Sequence, residues 1–84
     1  MNKILNSPIR ENVKAIRKAK GITATHVSKA LGYKKSAGYY YLEDGHNDIG
    51  AEKLKVIANL LGEDVCVFFS KELTELAIKR IAGN

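Results

Sequence analysis

Residues 21–45, GITATHVSKALGYKKSAGYYYLEDG, decide how the chain folds. Gly21, Gly32 and Gly45 each follow a stretch with helical apolar spacing, and glycine tolerates the left-handed backbone that ends helices. Between the first two, Thr23 supplies an N-capping hydroxyl, and Val27, Ala30 and Leu31 fall on one face. Between the second and third, Tyr39 and Leu42 repeat at i, i+3, which predicts a helix near Lys35 to Asp44. The stretch therefore reads as two short helices joined by a turn of three to four residues after Gly32.

The same signals extend in both directions. Ser7 followed by Pro8 is a start signal, a hydroxyl cap before a proline at the first helical position. Ile9, Val13 and Ile16 then share a face of a first helix ending near Lys20. Gly50 is placed to cap a fourth helix, Ala51 to Leu61, whose Leu54, Ile57, Ala58 and Leu61 point one way. Val65 to Phe69 is β-branched and aromatic enough for a strand, but a lone strand has no partner here, so a short helical turn is expected. Ser70 caps a last amphipathic helix over 70–82 carrying Leu73, Leu76, Ala77 and Ile81. The expected fold is an all-α compact bundle of five to six short helices, in one domain spanning residues 1–84.

With 84 residues the chain has room for one modest core and none for a second catalytic or sensory domain. Its longest apolar run, Val65 to Phe69, is far short of the roughly 20 residues of a membrane-spanning helix, and no signal-peptide hydrophobic stretch is evident, so a cytoplasmic location is expected. Cys66 stands alone within that run, which predicts a buried, inert thiol. The net charge of +5 is unevenly distributed. Between Glu11 and Glu43 there is no acid, while Lys14, Arg17, Lys18, Lys20, Lys29, Lys34 and Lys35 all fall there. Such asymmetry is the electrostatic footprint of a polyanion binder, although a basic stretch is also often a solvated helix face.

Two short helices joined through a glycine turn form the helix-turn-helix arrangement, in which the second helix enters the major groove of DNA. The run Ile16-Arg17, Lys20-Gly21-Ile22-Thr23, Val27 to Tyr33, Leu42 to Gly45 and Leu54 to Gly62 resembles the Cro and repressor family of phage and bacterial regulators, over roughly residues 12 to 69. The resemblance implies a lambda-repressor-like bundle that binds operator DNA as a homodimer, with Lys34 to Tyr41 as the reading segment and Thr23 among the residues at the DNA. It also implies that Arg17 pairs with Glu43. The chain departs from the family pattern in three places: Ala24 stands where a phosphate-reaching Gln is usual, the interval from Leu31 to Gly45 is one residue longer, and Gly38 lies within the reading helix.

Individual residues then take expected roles. Lys34 and Lys35 can reach a phosphate or a guanine edge, with phosphate preferred. Ser36 can cap the helix or donate to a base, and capping is preferred. Successive helical residues are about 100° apart. Tyr39 therefore belongs to the core with Leu42, while Tyr40 and Tyr41 face outward toward phosphate or a thymine methyl, or else cover a neighbouring helix. Tyr33 anchors the turn. His46 and Asn47 suit a loop along the sugar-phosphate backbone, or an ordinary solvated loop. No convergent metal-ligand set, catalytic triad or glycine-rich phosphate loop is present, so no enzyme, metal or cofactor is expected.

The expectation is thus a sequence-specific DNA-binding regulator, with a protein-interaction module such as an antitoxin or antirepressor partner as the alternative. A single reading helix covers few base pairs, which favours a homodimer on an inverted-repeat operator. Phe68, Phe69, Leu73, Leu76, Ala77 and Ile81 supply the apolar surface for that interface, unless the last helix folds back on its own core.

Overall fold

In a computed structural model, residues 9–44 and 49–83 are described, and they form five α-helices and one 3-10 helix. The α-helices are α1 (Ile9–Ala19), α2 (Ala24–Ala30), α3 (Ala37–Glu43), α4 (Ala51–Leu61) and α5 (Lys71–Gly83), and the 3-10 helix, Val65–Phe69, lies between α4 and α5. No strand occurs among the described residues. The Ser7-Pro8 start signal and Gly45 lie outside them.

The helix ends have a common cause. Gly21, Gly32 and Gly62 hold φ of 72°, 90° and 72°. In each case the glycine N–H and the next N–H turn back onto carbonyls of the last helical turn: Gly21 and Ile22 onto Lys18 and Arg17, Gly32 and Tyr33 onto Lys29 and Ser28, Gly62 and Glu63 onto Asn59 and Ala58. This paired closure satisfies carbonyls that the helix would otherwise leave open, and a β-carbon at that φ is strained. Thr23 Oγ1 accepts from the His26 N–H at the start of α2, and Ser70 Oγ accepts from the Leu73 N–H at the start of α5.

A single core joins the elements. Val13 and Ile16 of α1, Ala24 and Val27 of α2, Tyr39 and Leu42 of α3, Leu54, Ile57, Ala58 and Leu61 of α4, Phe68 and Ala77 are all buried together. Ala30, expected to face inward, is exposed, and Leu31 is only half-buried. In a helix this short, Ala24, Val27 and Ser28 already fill the inward face, which carries Ala30 round to solvent.

The Val65–Phe69 segment starts on an Asp64 cap, whose carboxylate accepts from the Cys66 N–H at 2.9 Å, and two carbonyls at its far end are satisfied by side chains of other helices. Asn12 Nδ2, from α1, donates to the Phe68 carbonyl at 3.0 Å, and Thr74 Oγ1, from α5, donates to the Val67 carbonyl at 2.7 Å. Three residues per turn place Val65 and Phe68 on one face and Cys66 and Phe69 on another. Phe68 is accordingly fully buried, while Cys66 and Phe69 are exposed. The expectation of a buried Cys66 is therefore corrected. Its thiol is pushed above the usual range by the hydrogen bond and charge of Asp64.

Two ionic networks tie the ends of helices together. Arg17 Nε and Nη2 donate to the Glu43 carboxylate at 2.7 and 3.1 Å, and Arg17 Nη1 donates to the Ile22 carbonyl at 2.8 Å. The end of α1, the turn after it and the end of α3 thus share one buried guanidinium, whose basicity rises chiefly through the Glu43 hydrogen bonds. Tyr39 lies beside the pair, its ring centroid 5.9 Å from the Arg17 Cζ. Burial, and after it the neighbouring Glu43 carboxylate, pushes its phenol far above the ordinary tyrosine range, while no group among the described residues meets its hydroxyl in hydrogen-bonding geometry. The second network centres on Glu63, which receives Lys20, the residue just after α1, at 3.1 Å and Arg80 of α5 at 2.7 Å. Burial alone would raise the Glu63 pKa, but the hydrogen bonds from Arg80 and Lys20 more than reverse this and leave it lowered.

Candidate nucleic-acid interface

The segment between α2 and α3 is held by one buried side chain. Ser28 is fully buried; its carbonyl accepts from the Tyr33 N–H at 3.0 Å, and its hydroxyl donates to the Lys35 carbonyl at 2.6 Å. Both ends of the Tyr33–Lys35 turn are therefore fastened to α2. The Lys35 carbonyl also accepts from the Gly38 N–H, and the Ser36 carbonyl accepts from the N–H groups of Tyr39 and Tyr40. Helix α3 starts at Ala37, two residues after the expected Lys35, because Lys35 and Ser36 belong to this fastened turn. Ser36 forms no side-chain cap, which corrects the preferred reading of that residue.

Helix α3 divides cleanly into two faces. Tyr39, Leu42 and Glu43 are buried, so the helix is seated by one large apolar side chain, one leucine and one ion pair. Ala37, Tyr40, Tyr41 and Asp44, at i, i+3, i+4 and i+7, are exposed. Tyr40 and Tyr41 keep 45% and 52% of their surface open, enough to reach an outside ligand. Lys34 and Lys35 are exposed on the turn before them. Thr25, His26 and Lys29 form the outer side of α2. From Thr23 through Tyr41 there is no carboxylate side chain.

The fold itself engages part of the basic run. Arg17 is bound to Glu43 and Lys20 to Glu63, while Lys18, Lys29, Lys34 and Lys35 are exposed. Thr23 is exposed but its hydroxyl is occupied in capping α2. Ala24 is buried in the core, so that position faces inward and offers nothing to an outer ligand. His46 and Asn47 lie outside the described residues.

The expected apolar interface is split by the structure. Phe69, Leu73 and Leu76 are exposed at 55%, 43% and 61%. Phe68 is fully buried, Ala77 nearly so, and Ile81 packs against the core. These three belong to the chain's own bundle, because Thr74, Ala77, Ile78 and Ile81 form the side of α5 that faces α1 and the 3-10 helix. Of the six residues expected at an interface, Phe68, Ala77 and Ile81 are therefore engaged by the chain's own core, and Phe69, Leu73 and Leu76 are the ones left exposed.

The roles of Ser28, Asn12 and Glu63 leave no trace in the sequence. Their partners lie 7 to 56 residues away, and no local spacing marks them. Gly38 did carry a signal, being a glycine inside a helix. A β-carbon there would come within 2.9 Å of the Tyr33 Cβ and closer still to ring carbons, so the Tyr33 ring lies directly on the backbone of α3. No helix among the described residues is long and apolar enough to cross a membrane. Comparison with family models, with curated proteins and with solved structures finds no match for the chain.

Proposed function

We propose that the chain is a sequence-specific DNA-binding regulator of the helix-turn-helix type, of phage or mobile-element character, acting as a homodimer on an inverted-repeat operator. One observation carries the reading: Lys34, Lys35, Tyr40 and Tyr41 stand exposed on a turn and a short helix that the core holds from behind, within a stretch, Thr23 to Tyr41, that carries no carboxylate, with Asp44 the acid at the far end of the same face. Rigid seating is what groove reading requires, since a side chain that must discriminate base edges has to arrive in a fixed position. Lysines on the turn suit phosphate oxygens. The two tyrosines suit phosphate or a thymine methyl.

Lys35→Ala and Tyr40→Ala test the site directly, because both side chains are exposed and neither supports the core. Each variant should keep its helix content while losing affinity for duplex DNA. Lys35→Ala should also lower the log–log salt slope by about 0.9, the value of one phosphate contact. Unchanged affinity in both variants would remove this surface from the proposal. The alternative reading, a protein-interaction module, draws on the exposed Phe69, Leu73 and Leu76. It predicts partner binding that responds weakly to salt.

A further inference from the structure

We propose that Ser28, Tyr33 and Gly38 form a positioning clasp that fixes where Lys34 and Lys35 present their ammonium groups to DNA. The inference rests on the DNA-binding reading and adds to it the residues that set the geometry of the turn. Tyr33, Lys34 and Lys35 are bounded on one side by the Tyr33 N–H bond to the Ser28 carbonyl and on the other by the Ser28 hydroxyl bond to the Lys35 carbonyl. The Tyr33 ring closes the third side by lying on α3 at Gly38, where no side chain stands between ring and backbone. A glycine in the first turn of a seven-residue helix lowers helix propensity by about 1 kcal/mol relative to alanine, and the bundle needs no positive φ there. Its use in this fold is the close approach of Tyr33. Three anchors on a three-residue turn leave the two lysine backbones little freedom, so ordering is completed on folding and not on binding.

The Gly38→Ala variant tests this. Its β-carbon meets the Tyr33 Cβ as well as the ring, so the ring cannot simply rotate away and the backbone near Tyr33 must move. The probe is a set of 30-base-pair duplexes enriched by the wild-type chain from a random-sequence pool. Gly38→Ala should keep its helical circular dichroism, bind these duplexes about tenfold more weakly, and show a salt slope lower by about 1 to 2, the loss of one or two phosphate contacts at about 0.9 each. Adding Tyr33→Ala removes the ring collision and should recover most of the lost slope. A purely structural role for Gly38 would change stability and leave the slope alone. Ser28→Ala, which deletes only the hydroxyl bond to Lys35, is the second variant, and a slope reduced in the same sense supports the clasp even if Gly38→Ala does not fold. Wild-type slope and affinity in Gly38→Ala, or in Ser28→Ala if that is the variant that folds, overturn the clasp while leaving the DNA reading intact. A wild-type chain that binds no duplex overturns both.

Discussion

Glu43→Ala strands a buried cation. In the native chain Arg17 makes two hydrogen bonds to Glu43 and one to the Ile22 carbonyl, and the two side chains are 9% and 2% exposed. Deleting the carboxylate leaves the guanidinium with the Ile22 carbonyl and the Tyr39 ring face. Breaking one partner of a buried pair costs about 3–5 kcal/mol. The lower end applies here, because the guanidinium keeps one strong hydrogen bond and a path to solvent. For 84 residues the unfolding entropy is about 0.18 kcal/mol/K, so about 3 kcal/mol lowers Tm by about 17 °C. Thermal melts followed by circular dichroism at pH 7, with urea titration as a check, measure it. Replacing both partners, Arg17→Met with Glu43→Leu, should cost less than Glu43→Ala alone, since neither charge is then left without its partner. A Tm drop under about 5 °C for Glu43→Ala, or a double variant weaker than the single, would refute this reasoning.

Glu63 has a folded-state pKa below its ordinary value of 4.5, so the stability it contributes is present above that value and is lost as pH falls through the lower folded value. Glu63→Gln should therefore be less stable at pH 7 and show a shallower decline below about pH 5; parallel pH–Tm curves for the two chains would contradict the network. Cys66 is exposed, with a thiol pKa raised by Asp64. It should react fully with a thiol reagent in the folded chain, more slowly than a free cysteine, and reaction only after unfolding would contradict its placement. In the proposed homodimer, Leu76→Lys, alone or with Leu73→Lys, should abolish pairing without unfolding the bundle, whereas Ile81→Lys should destabilise the fold because Ile81 packs on the core. Sedimentation and melting of the three variants separate these outcomes.

The helices were legible in the sequence wherever a local rule sufficed. Glycines that end three helices through left-handed backbone, and the Thr23 and Ser70 caps, act within a few residues and leave a readable trace. The outward faces of Tyr40 and Tyr41 followed from Tyr39 being inward, a consequence of helical period alone. What was not legible depends on distant partners. Val65 to Phe69 has no sequence mark of the Asn12 and Thr74 side chains that satisfy two of its carbonyls, and the apolar neighbours of Cys66 suggest burial. The 3-10 period decides otherwise. The residue type of Ser36 suggests a cap, but Ser28, eight residues earlier, fixes the turn instead and delays the helix. The apolar residues of the last segment could not be divided between core and surface until α5 had a neighbour to turn toward.

In the proposed function, the surface made by the turn and α3 reads DNA sequence. Selection of duplexes from a random pool by the wild-type chain, with sequencing of the bound fraction, tests it most directly. The bound fraction should be enriched in an inverted repeat with half-site centres about 34 Å apart, one helical turn of DNA, and that enrichment should be lost in Tyr40→Ala with the fold intact. A bound fraction with the base composition of the starting pool, or an enriched sequence that Tyr40→Ala and Lys35→Ala bind as tightly as the wild-type chain, would contradict it.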